Sequence, residues 1–148
     1  MTDPVTIIVP GKPHGKGRPR FNGNHAYTPA ETRNYERSIG YMARSEMRGK
    51  TMIEGPVQLD LRAVFQIPKR WPPMKKAQAI TGAIRPLCKP DTDNIVKALL
   101  DGMNGIVFRD DMQVVQVNAT KVYGCEPFVV ATVKSLEATE GQSQGEEV

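Results

Sequence analysis

The chain is poor in the residues that build a cysteine framework or a zinc site. It has two cysteines and two histidines among 148 residues. Cys88 and Cys125 lie far apart and without ligand spacing. That excludes a disulfide scaffold and a zinc finger, and it fits a reducing, cytoplasmic setting. Long apolar runs are missing as well. No stretch approaches the ~18 residues of a membrane helix, so no membrane partner is expected. Met1–Gly11 lacks the charged-then-apolar layout of a secretory signal. Internal repeats are absent. What remains, 39% hydrophobic and 24% charged residues, is the composition of a globular domain and not of a disordered chain. The length fits one domain with a real core.

Acid is scarce in the front of the chain. Residues 1–90 hold 16 Lys and Arg against 6 Asp and Glu, whereas residues 91–148 hold 4 against 10. A basic front beside an acidic back reads as a polyanion-binding surface next to an acidic site. Surface charge kept only for solubility is the alternative on charge alone.

Thr6–Val9 reads as a short strand stopped by Pro10-Gly11. The stretch Lys12-Pro13-His14-Gly15-Lys16-Gly17-Arg18-Pro19-Arg20 follows, a Gly- and Pro-rich loop with four exposed cations suited to phosphates. Thr28-Pro29-Ala30-Glu31 opens a helix: Thr28 as N-cap, Pro29 at the first helical position, Glu31 closing a capping box. Tyr35, Ile39, Met42, Ala43 and Met47 recur as its buried stripe. Arg33, Arg37, Arg44 and Arg48 fall on one face, a surface that could track phosphates. From Val57 to Ile67 the chain alternates, placing Val57, Leu59, Leu61, Ala63, Phe65 and Ile67 toward a core.

Residues 68–90 form a long connection rich in proline, with cations at Lys69, Arg70, Lys75, Lys76, Arg85 and Lys89 and a short helix expected over Met74–Ala83. Connections of this length are usually functional or disordered. A second helix is expected over 94–104, ended by Gly102 and Gly105. Strands follow over Val114–Tyr123 and Phe128–Leu136. Residues 137–148 carry four Glu and no Lys or Arg, and read as an acidic, disordered tail. The order β, α, β, loop-helix, α, β, β predicts a single α+β domain over residues 1–136, with helices on one mixed sheet.

The chemistry concentrates in Lys89-Pro90-Asp91-Thr92-Asp93-Asn94-Ile95-Val96-Lys97-Ala98-Leu99-Leu100-Asp101. Pro90 makes its neighbour extended. Asp91 and Asp93, two apart in an extended run, point the same way. Asp93 is also placed to cap the helix. Lys97 and Asp101 follow at i+4 steps on the same face. Asp110-Asp111 can return to the start of this helix, gathering Asp91, Asp93 and one of Asp110 and Asp111. An oxygen-only cluster selects Mg²⁺ or Mn²⁺ over Zn²⁺. Packed carboxylates without an ion would raise one another's pKa. A water on such an ion could attack a phosphodiester, with Lys97 stabilising charge on the phosphate. Plain capping and helix-dipole compensation is the alternative for Asp91 and Asp93.

The pattern Asp-x-Asp-Asn-hydrophobic-x-Lys-x-x-x-Asp, then Asp-Asp-x-Gln-hydrophobic, resembles the RusA family of Holliday-junction resolvases from Lys89 to about Tyr123. Val9-Pro10-Gly11-Lys12-Pro13 and Lys16-Gly17-Arg18-Pro19-Arg20 resemble the opening of its phage-type members. The resemblance implies a RusA-like fold, a mixed four-stranded sheet with two to three helices. It implies a dimeric, magnesium-dependent endonuclease of bacterial cytoplasm, phage- or prophage-encoded, acting on four-way DNA junctions in recombination and repair. By position, Asp91, Asp93 and Asp111 would be the metal carboxylates and Lys97 the essential lysine, with Asp110 an ambiguous neighbour. Two symmetric nicks also call for a two-fold homodimer on physical grounds.

Lys12, Lys16, Arg18, Arg20, Arg33, Arg37, Lys69, Arg70, Lys75, Lys76 and Lys89 are the cations expected to grip DNA. Lys121 joins them as a DNA or dimer contact, because ~33 Å of straight strand separates it from Asp111 and keeps it off the same ion. His14 and His25 read as phosphate contacts or simple titrating groups, and Trp71 as packing or a base stack. Two rival functions remain: a metal-dependent nuclease on other branched or duplex DNA, and a non-catalytic nucleic-acid binder.

Overall fold

The computed structural model describes residues 3–16, 20–27 and 30–137. Its elements follow from the alternation and stop signals of the chain. β1 (Val5–Pro10) alternates buried and exposed residues. A small hairpin, β2 (Arg20–Asn22) and β3 (His25–Tyr27), comes next. Gly23, with φ of 69°, supplies its turn, the first-position glycine that a two-residue hairpin loop favours. This hairpin was not expected, although Gly-Asn between short runs is a hairpin signal. Helix α1 (Ala30–Glu46) buries Thr32, Ile39, Gly40 and Ala43. The expected cap at Thr28 and Pro29, the loop cation Arg18 and the tail beyond Glu137 lie outside the described residues.

β4 (Val57–Gln66) buries Val57, Leu59, Leu61, Ala63 and Phe65, as the alternation predicted, and Val64 as well. Val64 faces the other side, where α2 packs against the neighbouring strand. α2 (Pro73–Thr81) starts at the expected proline. It ends two residues earlier than expected, because Gly82 takes a left-handed conformation with φ of 89°. α3 (Thr92–Met103) is followed by a single 3₁₀ turn, Asp111–Gln113, then β5 (Val114–Gly124) and β6 (Phe128–Ser135).

Four strands form one mixed sheet in the order β1-β6-β4-β5. β6 runs antiparallel to both β1 and β4, while β4 and β5 are parallel. A parallel pair needs a long crossover, and here it contains α2, α3 and the acidic motif. α1 and α3 pack on one face of the sheet, with Ile39, Ala43, Ile95, Leu99, Met103 and Phe108 meeting the inward residues of β1, β4 and β6. At ~25 cal/mol per Å² of apolar surface, such side chains supply the main drive for folding. Three helices on a mixed four-stranded sheet make this the α+β architecture expected. Among the described residues, no helix is long and apolar enough to cross a membrane.

Gly102 does not end α3 but lies inside it. A Cβ there would stand 2.6 Å from Ile39 Cγ2 and 3.2 Å from the Glu36 carbonyl oxygen. The glycine therefore lets α1 and α3 approach closely. Asn104 closes the helix, and Gly105, with φ of 78°, turns the chain beyond it.

Candidate metal-dependent nuclease site

α3 begins two residues earlier than the sequence suggested. Asp91, not Asp93, is its N-cap residue, with φ −68° and ψ 154°. The carboxylate of Asp91 makes no capping hydrogen bond, so its oxygens stay available to a ligand. Asp93 sits in the first turn, where negative charge complements the helix dipole. Asp91 and Asp93 are therefore not aligned by an extended run, because Asp91 is extended and Asp93 is helical. The i+4 ladder of Asp93, Lys97 and Asp101 does hold, since all three lie within α3. Asp91, Asp93 and Lys97 are exposed and Asp101 is half-buried.

The segment before α3 is gripped from one side by the N-terminal loop. The Lys16 backbone N–H donates to the Asn94 carbonyl at 3.0 Å. Gly15 lies so close that a Cβ would meet both Asn94 Cβ and Pro90 Cβ at 2.8 Å. The Lys16 ammonium does not reach toward open solvent as the sequence reading expected. It pairs with Glu36 of α1 at 2.7 Å and with Asp101 of α3 at 3.0 Å. Hydrogen bonding to Glu36, then to Asp101, raises its pKa against the opposing effect of burial. Its charge is spent on tying loop, α1 and α3 together.

The second acidic element is built as a tight turn. The Asp110 carboxylate accepts from the Met112 N–H at 2.9 Å, and the Gln113 side chain closes the reciprocal half of a capping box. Gln113 does more. Its Oε1 accepts from the N–H groups of Arg109 at 2.8 Å and Asp110 at 3.0 Å. Its Nε2 donates to the carbonyls of Ile53 and Gly55, each at 2.9 Å. Gln113 thus pins the Asp110-Asp111 turn to the segment before β4, a role the sequence reading did not assign. A glutamine three residues after an aspartate is the capping signal that points to it. Asp110 is occupied by this cap, and Asp111 beside it is exposed.

A hydrogen-bonding contact with the Asp110 carboxyl raises the Asp111 pKa above the ordinary value, followed by desolvation and the charges of Asp110 and Asp101. The Lys97 ammonium opposes them. The charges that act on the Asp111 carboxyl are thus those of Asp110, Asp101 and Lys97. Asp101 of α3 adds a like charge that helps to raise the Asp111 carboxyl. Among the described residues, no three His, Cys, Asp or Glu side chains form a ready-made metal cage. The donor chemistry nevertheless fits a hard cation. The donors are all oxygen, one carboxyl is pushed up by its neighbour, and Mg²⁺ characteristically takes one or two carboxylates and keeps waters and substrate phosphates.

The other expected DNA contacts divide by position. Lys12 and Lys89 are exposed at an open cavity of about 960 Å³ that also reaches Asp91 and Asn94. Arg33 and Arg37 line a groove of about 450 Å³ with Arg44, between α1 and α3. Lys69, Arg70 and Lys75 are exposed and Lys76 half-buried on the α2 crossover. Lys75 lies 4.0 Å from the centre of the Trp71 ring, and Trp71 packs edge-on against Tyr123 at 5.2 Å. His14 packs edge-on against Tyr35 at 5.4 Å instead of projecting to a phosphate. Burial raises the Tyr35 pKa, the His14 backbone opposing it. The side chain of Arg20 lies outside the described residues. Lys121 differs most from expectation. Its ammonium donates to the carbonyls of Cys88 at 2.6 Å and Pro90 at 3.0 Å.

The Bacillus subtilis (strain 168) protein YqaN, itself uncharacterised, is 35% identical over 142 residues, spanning 92% of this chain and 99% of its own. The Endodeoxyribonuclease RusA family profile matches residues 10–134, from the end of β1 through β6 and across both acidic elements. The chain belongs to the RusA endodeoxyribonuclease family.

Proposed function

We propose that this protein resolves four-way DNA junctions as a Mg²⁺-dependent, structure-selective endodeoxyribonuclease. One observation carries the reading: the RusA-family match runs over residues 10–134 and takes in both acidic elements, Asp91 at the start of α3 with no capping bond on its side chain and the Asp110-Asp111 turn. Carboxyls crowded enough to raise Asp111, opposed by the Lys97 ammonium, suit a site that takes a cation and a phosphate together. Asp91, Asp93 and Asp111 would hold the ion, with Mn²⁺ a workable substitute. When bound, such an ion supplies Lewis acidity and a water of lowered pKa. Lys97 contributes a positive charge beside the scissile phosphate, where charge builds in the transition state. Asp91 contributes oxygens that no helix cap occupies. Junction symmetry supports a homodimer, one site per protomer, giving paired nicks. Residues 1–136 would suffice as the nuclease domain, with 137–148 an accessory tail.

The test uses the purified chain with a labelled synthetic four-way junction, in Mg²⁺ and in EDTA, beside Asp91→Asn. Paired symmetric nicks that need Mg²⁺ and disappear in Asp91→Asn are expected. Equal cutting of linear duplex and flap DNA would replace the junction role with a broader nuclease. Binding without cleavage in either Mg²⁺ or Mn²⁺ would overturn the enzyme reading and leave a nucleic-acid binder.

A further inference from the structure

Lys121 stands in β5, opposite Ala63 of β4. Ala63 is fully buried beneath the helices, and parallel partners face the same way, so Lys121 rises from the helix-covered face of the sheet. Its ammonium passes 5.2 Å from the centre of the Phe65 ring and ends on two backbone oxygens, Cys88 at 2.6 Å and Pro90 at 3.0 Å. An ammonium offers three donors and no acceptor. Two of the three are used here, on carbonyls three residues and one residue before Asp91.

Asp91 depends on this arrangement more than a residue inside a helix would. From Gly82 to Pro90 no helix or strand constrains the chain. Pro90 has no N–H to contribute, and Asp91 makes no side-chain capping bond. The backbone that delivers Asp91 is thus fixed by contacts from outside itself. On one side are Gly15 and the bond from the Lys16 N–H to the Asn94 carbonyl. On the other is Lys121. A charge-assisted pair of bonds to backbone oxygens is stronger than neutral ones, and it joins the edge strand to the mouth of α3.

We propose that Lys121 is a positioning residue that sets the Asp91 carboxylate for a divalent cation, and is not a phosphate-contacting cation. The inference rests on the junction-nuclease reading above for its functional meaning. The alternative, a lysine that meets DNA, would leave the ammonium free for phosphate instead of engaged with two carbonyls.

Three measurements on the full-length chain decide between them, for wild type, Lys121→Met and Lys121→Arg. The first is Mn²⁺ binding without DNA, followed by electron paramagnetic resonance. The second is junction affinity in EDTA as a function of salt. The third is kcat and KM in Mg²⁺. Lys121→Met is expected to weaken Mn²⁺ binding and to lower kcat, each about tenfold, a misplacement of ~1 Å being able to cost still more. Junction affinity, its salt slope and KM are expected to hold within twofold, and Lys121→Arg to recover much of the loss. Should Lys121→Met fail to fold, Lys121→Ala, which likewise removes every side-chain donor, is read the same way.

Weaker junction binding with a salt slope reduced by about one, at unchanged Mn²⁺ affinity, would overturn the proposal in favour of a DNA contact. Unchanged Mn²⁺ affinity and kcat would overturn it outright. If wild type cleaves no DNA while Lys121→Met still loses Mn²⁺, the nuclease reading falls and the positioning role stands.

Discussion

Gln113 shows how one side chain can hold half of a site. It is not charged, yet its two donated and two accepted hydrogen bonds fix the turn that presents Asp111. Two of its partners, the Ile53 and Gly55 carbonyls, are partly buried contacts nearly sixty residues away in sequence. Each net bond contributes about 0.5–1.5 kcal/mol, and water replaces the exposed ones readily. Gln113→Ala is therefore expected to cost about 2–3 kcal/mol. Thermal unfolding followed by circular dichroism would read that as a fall of roughly 5–10 °C. A variant that melts with wild type would mean that water substitutes for all four bonds, and that the turn holds itself. Lys16 teaches the converse. Read as a free cation of a basic loop, it is instead the ion-pair link between loop, α1 and α3. Charge type was legible in the sequence, but the partner that spends the charge was not.

At the scale of elements, the closest contact in the molecule's helical layer is α1 against α3, and Gly102 makes it possible. A Cβ at Gly102 would fall 2.7 Å from Ile39 Cβ, well inside van der Waals contact. Overpacking of this kind costs about 1–3 kcal/mol, while replacing an interior helix glycine with alanine returns up to about 1 kcal/mol. Gly102→Ala should destabilise by about 1–2 kcal/mol in chemical denaturation. Combining it with Ile39→Ala should cost less than the sum of the two single changes. Additive costs would show that α1 and α3 shift apart freely.

The strong periodicities around it were readable from the residues alone: the alternation of β4, the stripe of α1 and the apolar side of α3. The hairpin at Gly23, the start of α3 at Asp91 and the interior place of Gly102 were not. Each of those depends on backbone geometry or close approach, which residue type signals only faintly. The bonds from Lys121 to the Cys88 and Pro90 carbonyls are hidden in the sequence for a related reason. The distance of Lys121 along β5 from Asp111 says nothing about Asp91, which returns beside β5 through the crossover of a parallel strand pair.

For the molecule as a whole, the uneven charge along the chain becomes uneven charge in space only where cations stay unpaired. The α1 groove keeps Arg33, Arg37 and Arg44 together beside the acid-bearing helix α3, with Arg33 and Arg37 exposed. Like charges on one helix face oppose folding slightly, so their retention there suits a polyanion. Each phosphate neutralised on duplex DNA adds about −0.9 to the slope of log affinity against log salt. Arg33→Ala and Arg37→Ala should each flatten that slope by nearly one for a four-way junction in EDTA, and the double variant by nearly two. Lys16→Ala should leave the slope where it is, because Glu36 and Asp101 already hold its ammonium. Titrations from low to moderate salt would measure all four proteins. If Lys16→Ala flattens the slope and the arginine variants do not, the DNA path runs over the N-terminal loop, and the α1 groove is a solvated surface.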